Sequence, residues 1–514
     1  MFYDIIVKQV NFWEAFMAKQ QVFKFDNGAS LIYQKQTAFN GYSFAIGFRC
    51  GSQLDGKYKG LSHLLEHLLF RNPNPKSTTL LLDNILRYTI DQNAYTSKNC
   101  ICVTFDSVYK NVEQSLKNVT DMLNRRFTKE QIAREVEIVK HEINMYKDVE
   151  NSERQSAYEL LINTIMDDTN IFNLDILGTP KTLKTITPEL LSNYMKRYFN
   201  LDNLIISVTT NKSVENVSEL CQKYIFPSLK PASKPEYIIP TPKPLKFKDM
   251  NALVAVPTED SQNVSICLLL RERSNLSEDI NLEYAYDVIE EYLMNNMGSI
   301  LWDVLREKNQ LVYSFSLSNL DYTYAKFKTF QATTTQGKMR KTIAEVCKAI
   351  RNIGVYGVPP KKFSDVKKAL TDIRTATLNK FRAYDANQNF ITYLHGDPFV
   401  DYKKVNDYIQ NMTLEDFNTH IMQIYSTANV SLAVEGKFDT RKCYNLLEVE
   451  KMLGNYSNVG YEQDFNPPKI EVSPIPDPTL QAIEMLADNY LKQKEAEQKP
   501  DENTCITIDN EKVK

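Results

Sequence analysis

The amino-acid sequence predicts an α+β protein of two homologous α/β-sandwich halves, a duplicated unit in which helices pack on a mixed sheet. Three observations carry that expectation. Runs with two-residue hydrophobic alternation are interspersed with longer runs of helical period, as in sheets covered by helices. Residues 227–244 hold Pro227, Pro231, Pro235, Pro240, Pro242 and Pro244, an extended, semi-rigid linker that divides the chain. The closing segments of the two halves also match. Gly178-Thr179-Pro180, Thr187-Pro188-Glu189, a helix to Tyr198 and a strand at 203–209 return as Gly396-Asp397-Pro398, Thr413-Leu414-Glu415, a helix to Tyr425 and a strand at 429–434. The offsets drift from 218 to 226 to 227 residues, as expected after duplication with small insertions.

The elements follow in order. Residues 1–18 are a weakly patterned lead-in. Val22-Phe23-Lys24-Phe25 and Ser30-Leu31-Ile32-Tyr33, joined by Asp26-Asn27-Gly28, read as a hairpin, because Asn-Gly supplies the positive φ that a tight turn needs. Residues 42–49 read as a strand, ended by Gly51-Ser52. A helix over about 59–70 stops at Asn72-Pro73-Asn74-Pro75, and another is expected over 77–88. Asn93-Ala94-Tyr95-Thr96-Ser97 leads into a strand at 100–105, whose Cys100 and Cys102 are read as pointing to opposite faces. Helices are expected over 112–126, over 129–149 with Thr128 as cap, and over 153–166. Thr187 caps the next, with Pro188 in its first turn. In the second half the strand at 264–270 echoes 44–49, and each precedes a long helix. Beyond Asp439 the pattern weakens. Pro467, Pro468, Pro474, Pro476 and Pro478 mark an extended stretch, 480–497 is a charged helix-like piece, and the polar end is expected to be disordered.

Composition narrows the function classes. The 514 residues, 43% hydrophobic, suffice for two domains with proper cores. A formal charge of −3 gives no general attraction to nucleic acid or to an acidic membrane. No apolar run reaches the length of a transmembrane helix. The first residues mix Asp4, Lys8 and Glu14 with apolar side chains and lack the pattern of a secretory signal or presequence. Eight scattered cysteines without a Cys-x-x-Cys pair read as reduced thiols, so the expected location is cytoplasmic.

The chemistry concentrates in Gly60-Leu61-Ser62-His63-Leu64-Leu65-Glu66-His67-Leu68-Leu69-Phe70. His63 and His67 are one helical turn apart and share a face, with Glu66 beside them. Two such imidazoles can hold one Zn²⁺, and a neighbouring carboxylate can take a proton from metal-activated water. The order His-x-x-Glu-His inverts the commoner zinc-peptidase motif. The chain has only five histidines, and burying two of them with a glutamate in an apolar helix would leave polar groups to satisfy. Catalytic zinc takes a third protein ligand. The run Ile132-Ala133-Arg134-Glu135-Val136-Glu137-Ile138-Val139-Lys140-His141-Glu142 is its source, but periodicity does not choose between His141 and Glu142.

These residues, with Asn93-Ala94-Tyr95-Thr96-Ser97 and Glu135-x6-Glu142, resemble the pitrilysin/insulinase family of inverted-motif zinc metallopeptidases, in particular its mitochondrial-processing-peptidase-like and short bacterial members. The family's ligand glutamate lies some seventy-odd residues beyond the motif, and 142 − 67 = 75 fits. The resemblance implies His63, His67 and Glu142 as ligands of one Zn²⁺ per chain, Glu66 as general base, and Glu135 in support beside the site. It extends to Gly298-Ser299-Ile300-Leu301-Trp302-Asp303-Val304-Leu305-Arg306-Glu307 and Leu311-Val312-Tyr313-Ser314, similar to a pair in which an arginine and a tyrosine seven residues later reach the substrate from the second half.

The resemblance implies a zinc endopeptidase whose halves face each other as a clamshell around extended, unstructured peptides. The peptide would add as a strand near Asn93 and Ala94, with Arg306 and Tyr313 contacting it. The expected organisation is a catalytic domain at 19–226, the linker at 227–248, a homologous domain without metal at 249–439, and an extension at 440–514. A monomer or homodimer is expected, or one working with a homologous partner subunit. The rival expectations are an inactive scaffold of the same fold and one subunit of a heteromeric processing protease.

Overall fold

The computed structural model describes residues 20–453 except 37–39, 72–86, 124, 147–155, 167–175, 241–247, 249–250, 259–260, 262, 273–278, 296, 323–324, 378–382 and 428. The lead-in, residues 77–86 of the helix expected over 77–88, and the proline-rich and charged parts of the C-terminal extension lie outside these residues, and 87–88 form a turn.

The expected hairpin forms. β1 (Gln20–Lys24) and β2 (Ser30–Lys35) pair antiparallel, and Gly28 turns between them at φ 93. β3 (Tyr42–Arg49) leads to α1 (Leu61–Leu69). Asn93-Ala94-Tyr95-Thr96, expected to lead into the next strand, belong to a strand themselves, β4 (Asp91–Thr96), paired antiparallel with β5 (Cys100–Ser107). Helices α2 (Val112–Leu123), α3 (Lys129–Tyr146), α4 (Ala157–Ile165) and α5 (Pro188–Tyr198) follow, then β6 (Leu204–Thr210) and α6 (Val214–Leu220). Ser156 and Glu159 close a capping box on α4, and Thr187 caps α5 as its sequence requires. The sheet order is β1-β2-β6-β3-β5-β4, with β2 and β6 parallel.

The second half repeats this plan. Its elements are β7 (Leu253–Pro257), β8 (Val264–Arg271), α7 (Ile280–Asn295), β9 (Phe315–Tyr322), β10 (Ala325–Thr334), α8 (Met339–Tyr356), α9 (Pro360–Thr377), α10 (Ala383–His395), α11 (Tyr402–Asn411), α12 (Leu414–Thr427), β11 (Asn429–Gly436) and α13 (Leu446–Leu453). The order β7-β11-β8-β10-β9 is β2-β6-β3-β5-β4 again, down to the one parallel pair, β7 with β11. Identical strand order in both halves is the topology of a duplicated α+β unit. The second half continues past Asp439, because α13 buries Val449 and Leu453 in its core.

Side chains alternate across each sheet. In the first, Leu31, Phe44, Ile46, Phe48, Ile101, Val103 and Ile206 pack under α1, α2 and α3 through Leu64, Leu68, Leu116 and Val139. The opposite face, with Ile32, Ala45, Cys100, Cys102 and Ile205, is covered by Ala386, Phe390 and Leu394 of α10, a helix from the second half. Cys100 and Cys102 thus share one face, not opposite ones, because residues two apart on a pleated strand point the same way. Gly47 admits the Phe390 ring, which would lie 2.6 Å from a Cβ there. The exchange is mutual. Leu161, Ile162 and Ile165 of α4, from the first half, pack on Cys267, Leu269, Phe327 and Ala433 of the second sheet. Buried amides fix α10 in place: Asn389 accepts from Gln20 at 3.2 Å and donates to Gln34 at 2.6 Å.

One core residue breaks the apolar pattern. Lys328 lies on β10 two residues before Phe330, on the inward face, and its side chain is fully buried. Its ammonium meets Glu272 at 3.1 Å, Asp287 at 3.3 Å and Glu290. Burial opposes that charge, but Glu290, Glu272 and Asp287 outweigh it and hold Lys328 protonated well above the usual lysine range. Asp287 and Glu290 belong to α7, which follows β8 as α1 follows β3. Among the described residues no helix is long and apolar enough to cross a membrane.

Candidate metal centre

The motif helix is set by its first turn. Gly60 sits at φ 87 before α1, and a Cβ there would come within 2.5 Å of the Leu177 carbonyl. The Asp55 carboxylate accepts from the Gly60 and Ser62 amides, each at 3.0 Å, and so satisfies two free N–H groups of the helix start. Burial pushes Asp55 up to about 7, and these hydrogen bonds only partly offset it. Leu61, Leu64, Leu65, Leu68 and Leu69 turn to the core, so His63, Glu66 and His67 face away from it. In α3, burial of Ile132, Val136, Val139 and Ile143 turns Glu135 and Glu142 toward α1.

Three groups then converge. His67 Nε2 lies 3.2 Å from Glu142 Oε2, and His63 Nε2 lies 3.7 Å from the same oxygen. One donor atom from each of His63, His67 and Glu142 falls within 4.8 Å of the others. It is Glu142 that meets the imidazoles, while His141 is exposed. Glu135, buried, takes His67 Nδ1 at 3.2 Å and also pairs with Arg71. The Nδ1 of His63 is buried without a hydrogen-bond partner among the described residues.

The electrostatics suit a cation. Burial and the adjacent His67 push His63 down to about 4, so at neutral pH it is the neutral imidazole that offers a lone pair. Burial opposes charge on His67 as well, but the Glu135 hydrogen bond and the charges of Glu66, Glu135 and Glu142 outweigh it and raise its pKa. Burial also raises Glu66, against the pull of His67 and a hydrogen bond from Thr96. Two imidazole nitrogens and a carboxylate oxygen, presented by rigid helices with a carboxylate behind one imidazole, form a donor set that fits Zn²⁺.

The other predicted residues take these places. Glu66 Oε2 accepts from Thr96 Oγ1 at 3.3 Å, which ties it to β4. Asn93 and Ala94 lie on β4, the last strand of the sheet; Asn93 is exposed, and its side chain accepts from the Ala94 amide at 2.9 Å. Arg306 lies over the Trp302 ring, 4.4 Å from its centroid, and 5.3 Å from that of Tyr313, and donates to the Tyr313 carbonyl at 3.1 Å. Tyr313 is 83% exposed. The side-chain contacts described for Arg306 and Tyr313 are with each other and with Trp302, not with the metal-ligand group. Sequence reasoning missed Asp55, Arg71 and the tie from Thr96 to Glu66. Arg71 had a signal, as the first charge after Glu66 in an apolar run.

Residues 33–176 match the family described as insulinase (peptidase family M16), and residues 185–370 match the peptidase M16 inactive domain. The chain belongs to the M16 peptidase family. An uncharacterized zinc protease of Rickettsia bellii is 22% identical over 419 residues, 80% of this chain and 97% of its own length. Mitochondrial-processing peptidase subunit alpha-1 of Dictyostelium discoideum is 24% identical over 209 residues, 40% of this chain and 31% of its own. Among solved structures, a protease from Helicobacter pylori superposes with a TM-score of 0.65 at 16% identity, covering 81% of this chain and 99% of that one. The shared fold is the two-half M16 architecture.

Proposed function

We propose that this chain is a zinc-dependent endopeptidase acting on extended, unstructured peptides. The convergence of His63, His67 and Glu142 beside Glu66 carries the reading. When bound, one zinc ion per chain supplies Lewis-acid chemistry that polarises the scissile carbonyl and makes water a nucleophile near neutral pH. Glu66 takes the proton from the attacking water and delivers it to the leaving amine as the C–N bond breaks. Thr96 binds one of its oxygens and fixes the direction of the carboxylate. The substrate adds as a strand along β4, whose outer side has no strand partner among the described residues, past Asn93 and Ala94. The seven described cysteines, all unpaired, are in keeping with a reducing, cytoplasmic setting.

The metal reading is tested at the shared carboxylate. Glu142→Gln makes a charged ligand neutral and is expected to lower zinc content after dialysis against a weak chelator. Full zinc with unchanged activity would assign the third ligand elsewhere.

Arg306 and Tyr313 act from the second half, Arg306 on the peptide backbone and Tyr313 as a donor to the developing oxyanion. Both stand in the same chain as the zinc motif, which favours an enzyme complete in itself over a subunit needing a partner. Tyr313→Phe is expected to keep zinc and lower kcat/KM by at most about 3–4 kcal/mol of transition-state stabilisation. Arg306→Ala should act mainly on KM. Wild-type kinetics in the double variant would remove both from the site.

A further inference from the structure

Two imidazoles face the metal position, and the protein treats them differently. His63 Nδ1 is buried with no hydrogen-bond partner among the described residues. His67 Nδ1 meets Glu135 Oε1 at 3.2 Å. The other oxygen of Glu135 is taken by Arg71 Nε. Glu135 is 2% exposed, so without Arg71 one of its oxygens would be buried and unpaired.

Arg71 is itself braced. It follows the end of α1, and its amide donates to the Leu68 carbonyl at 3.1 Å. The Arg125 guanidinium, from the turn between α2 and α3, donates to the Leu69 carbonyl at 3.2 Å and to the Arg71 carbonyl. The end of α1 is thus held twice, to α3 through the Arg71 side chain and to the turn before α3 through the Arg71 carbonyl. The Arg71 side chain engages Glu135, two turns along α3 from Glu142.

We propose that Arg71 is a positioning residue of the metal centre, acting through Glu135 to hold His67 with its Nδ1–H engaged and its Nε2 lone pair directed at the metal. The inference rests on the zinc reading above. A carboxylate behind a ligating imidazole fixes tautomer and ring orientation, and its loss typically costs 10–100-fold in metal affinity. Arg71 supplies what that carboxylate needs: a second, stiff donor that leaves it one orientation. His67 becomes the pre-set ligand, and His63 adjusts to it.

The test is zinc affinity of the full chain, measured by competition with a chromophoric chelator, in a double-mutant cycle over Arg71 and Glu135. Arg71→Met is expected to weaken zinc about 10–100-fold in the wild-type background, and less than about 3-fold when Glu135→Gln is already present. Arg71→Lys keeps the charge but not the planar donor, and should fall between, at about 3–10-fold. If Arg71→Met does not fold, the cycle is read with Arg71→Lys. The visible spectrum of the cobalt-substituted protein should shift with each single variant, which a purely structural role for Arg71 would not cause. Unchanged zinc affinity in the Arg71 variants, or losses that add fully to that of Glu135→Gln, would overturn the inference. Wild-type protein that binds no stoichiometric zinc, or binds it unaffected by Glu142→Gln, would instead sink the zinc reading and this inference with it.

Discussion

Glu66→Gln is expected to bind zinc like the wild type and to lose at least about 10²-fold, and up to 10⁴-fold, in kcat. That is roughly 3–5 kcal/mol of barrier. The size follows from the role. Glutamine has the same shape and can still accept the Thr96 hydroxyl, so the helix and the ligands should stay where they are. It cannot take a proton from water, nor return one to the amine. The measurement is paired: metal content on one sample, turnover of an unstructured peptide on the same sample. Retained zinc with lost turnover is the expected result. An active variant would mean that another group moves the proton.

Lys328→Met is expected to destabilise the protein by about 3–5 kcal/mol, enough to unfold much of it at physiological temperature. Methionine fills most of the volume, so the loss is not one of packing. Removing the ammonium takes from Glu272 and Glu290 the counter-ion they share and leaves Asp287 with Lys326 alone, at 3.8 Å. Their only remedies are to take up protons or to open the core. Urea unfolding followed by circular dichroism measures the cost. Adding Glu290→Gln to Lys328→Met should recover part of it, because one of the stranded charges is then gone. A Lys328→Met variant with a wild-type midpoint would show that the cluster contributes nothing net.

How much of this could be read in advance depends on the range of the interaction. His63, Glu66 and His67 were legible because their geometry is local to one helix. Glu142 was not separable from His141 by pattern, since α3 carries Glu135, Glu137, Lys140, His141 and Glu142 around much of its circumference. Only the burial of Val136, Val139 and Ile143 sets which of them faces α1. Residues 91–96 do not announce a strand by themselves, because Asp91, Gln92 and Asn93 have poor strand preference; pairing with β5 overrides it. Nothing local marks Lys328 for burial or Glu272, Asp287 and Glu290 as its partners, because charged side chains are mostly solvated. Their mutual neutralisation is a long-range event. The helix expected over 153–166 forms as α4, but nothing local to it shows that it would be buried against the second half, nor that α10 would cover the first.

That exchange also sets a timetable for the molecule's birth. When the ribosome has finished β6, the first sheet has all its strands, yet the face bearing Ile32, Ala45, Cys102 and Ile205 has no cover until α10 emerges. At about 5–20 residues per second the wait from Thr210 to His395 is roughly 10–40 s. For that interval the nascent chain carries a greasy, finished surface in search of a lid. Any other chain with a free amphipathic helix, including a second copy on the same message, can compete for it, so slowing translation or crowding ribosomes should raise the fraction that misassembles.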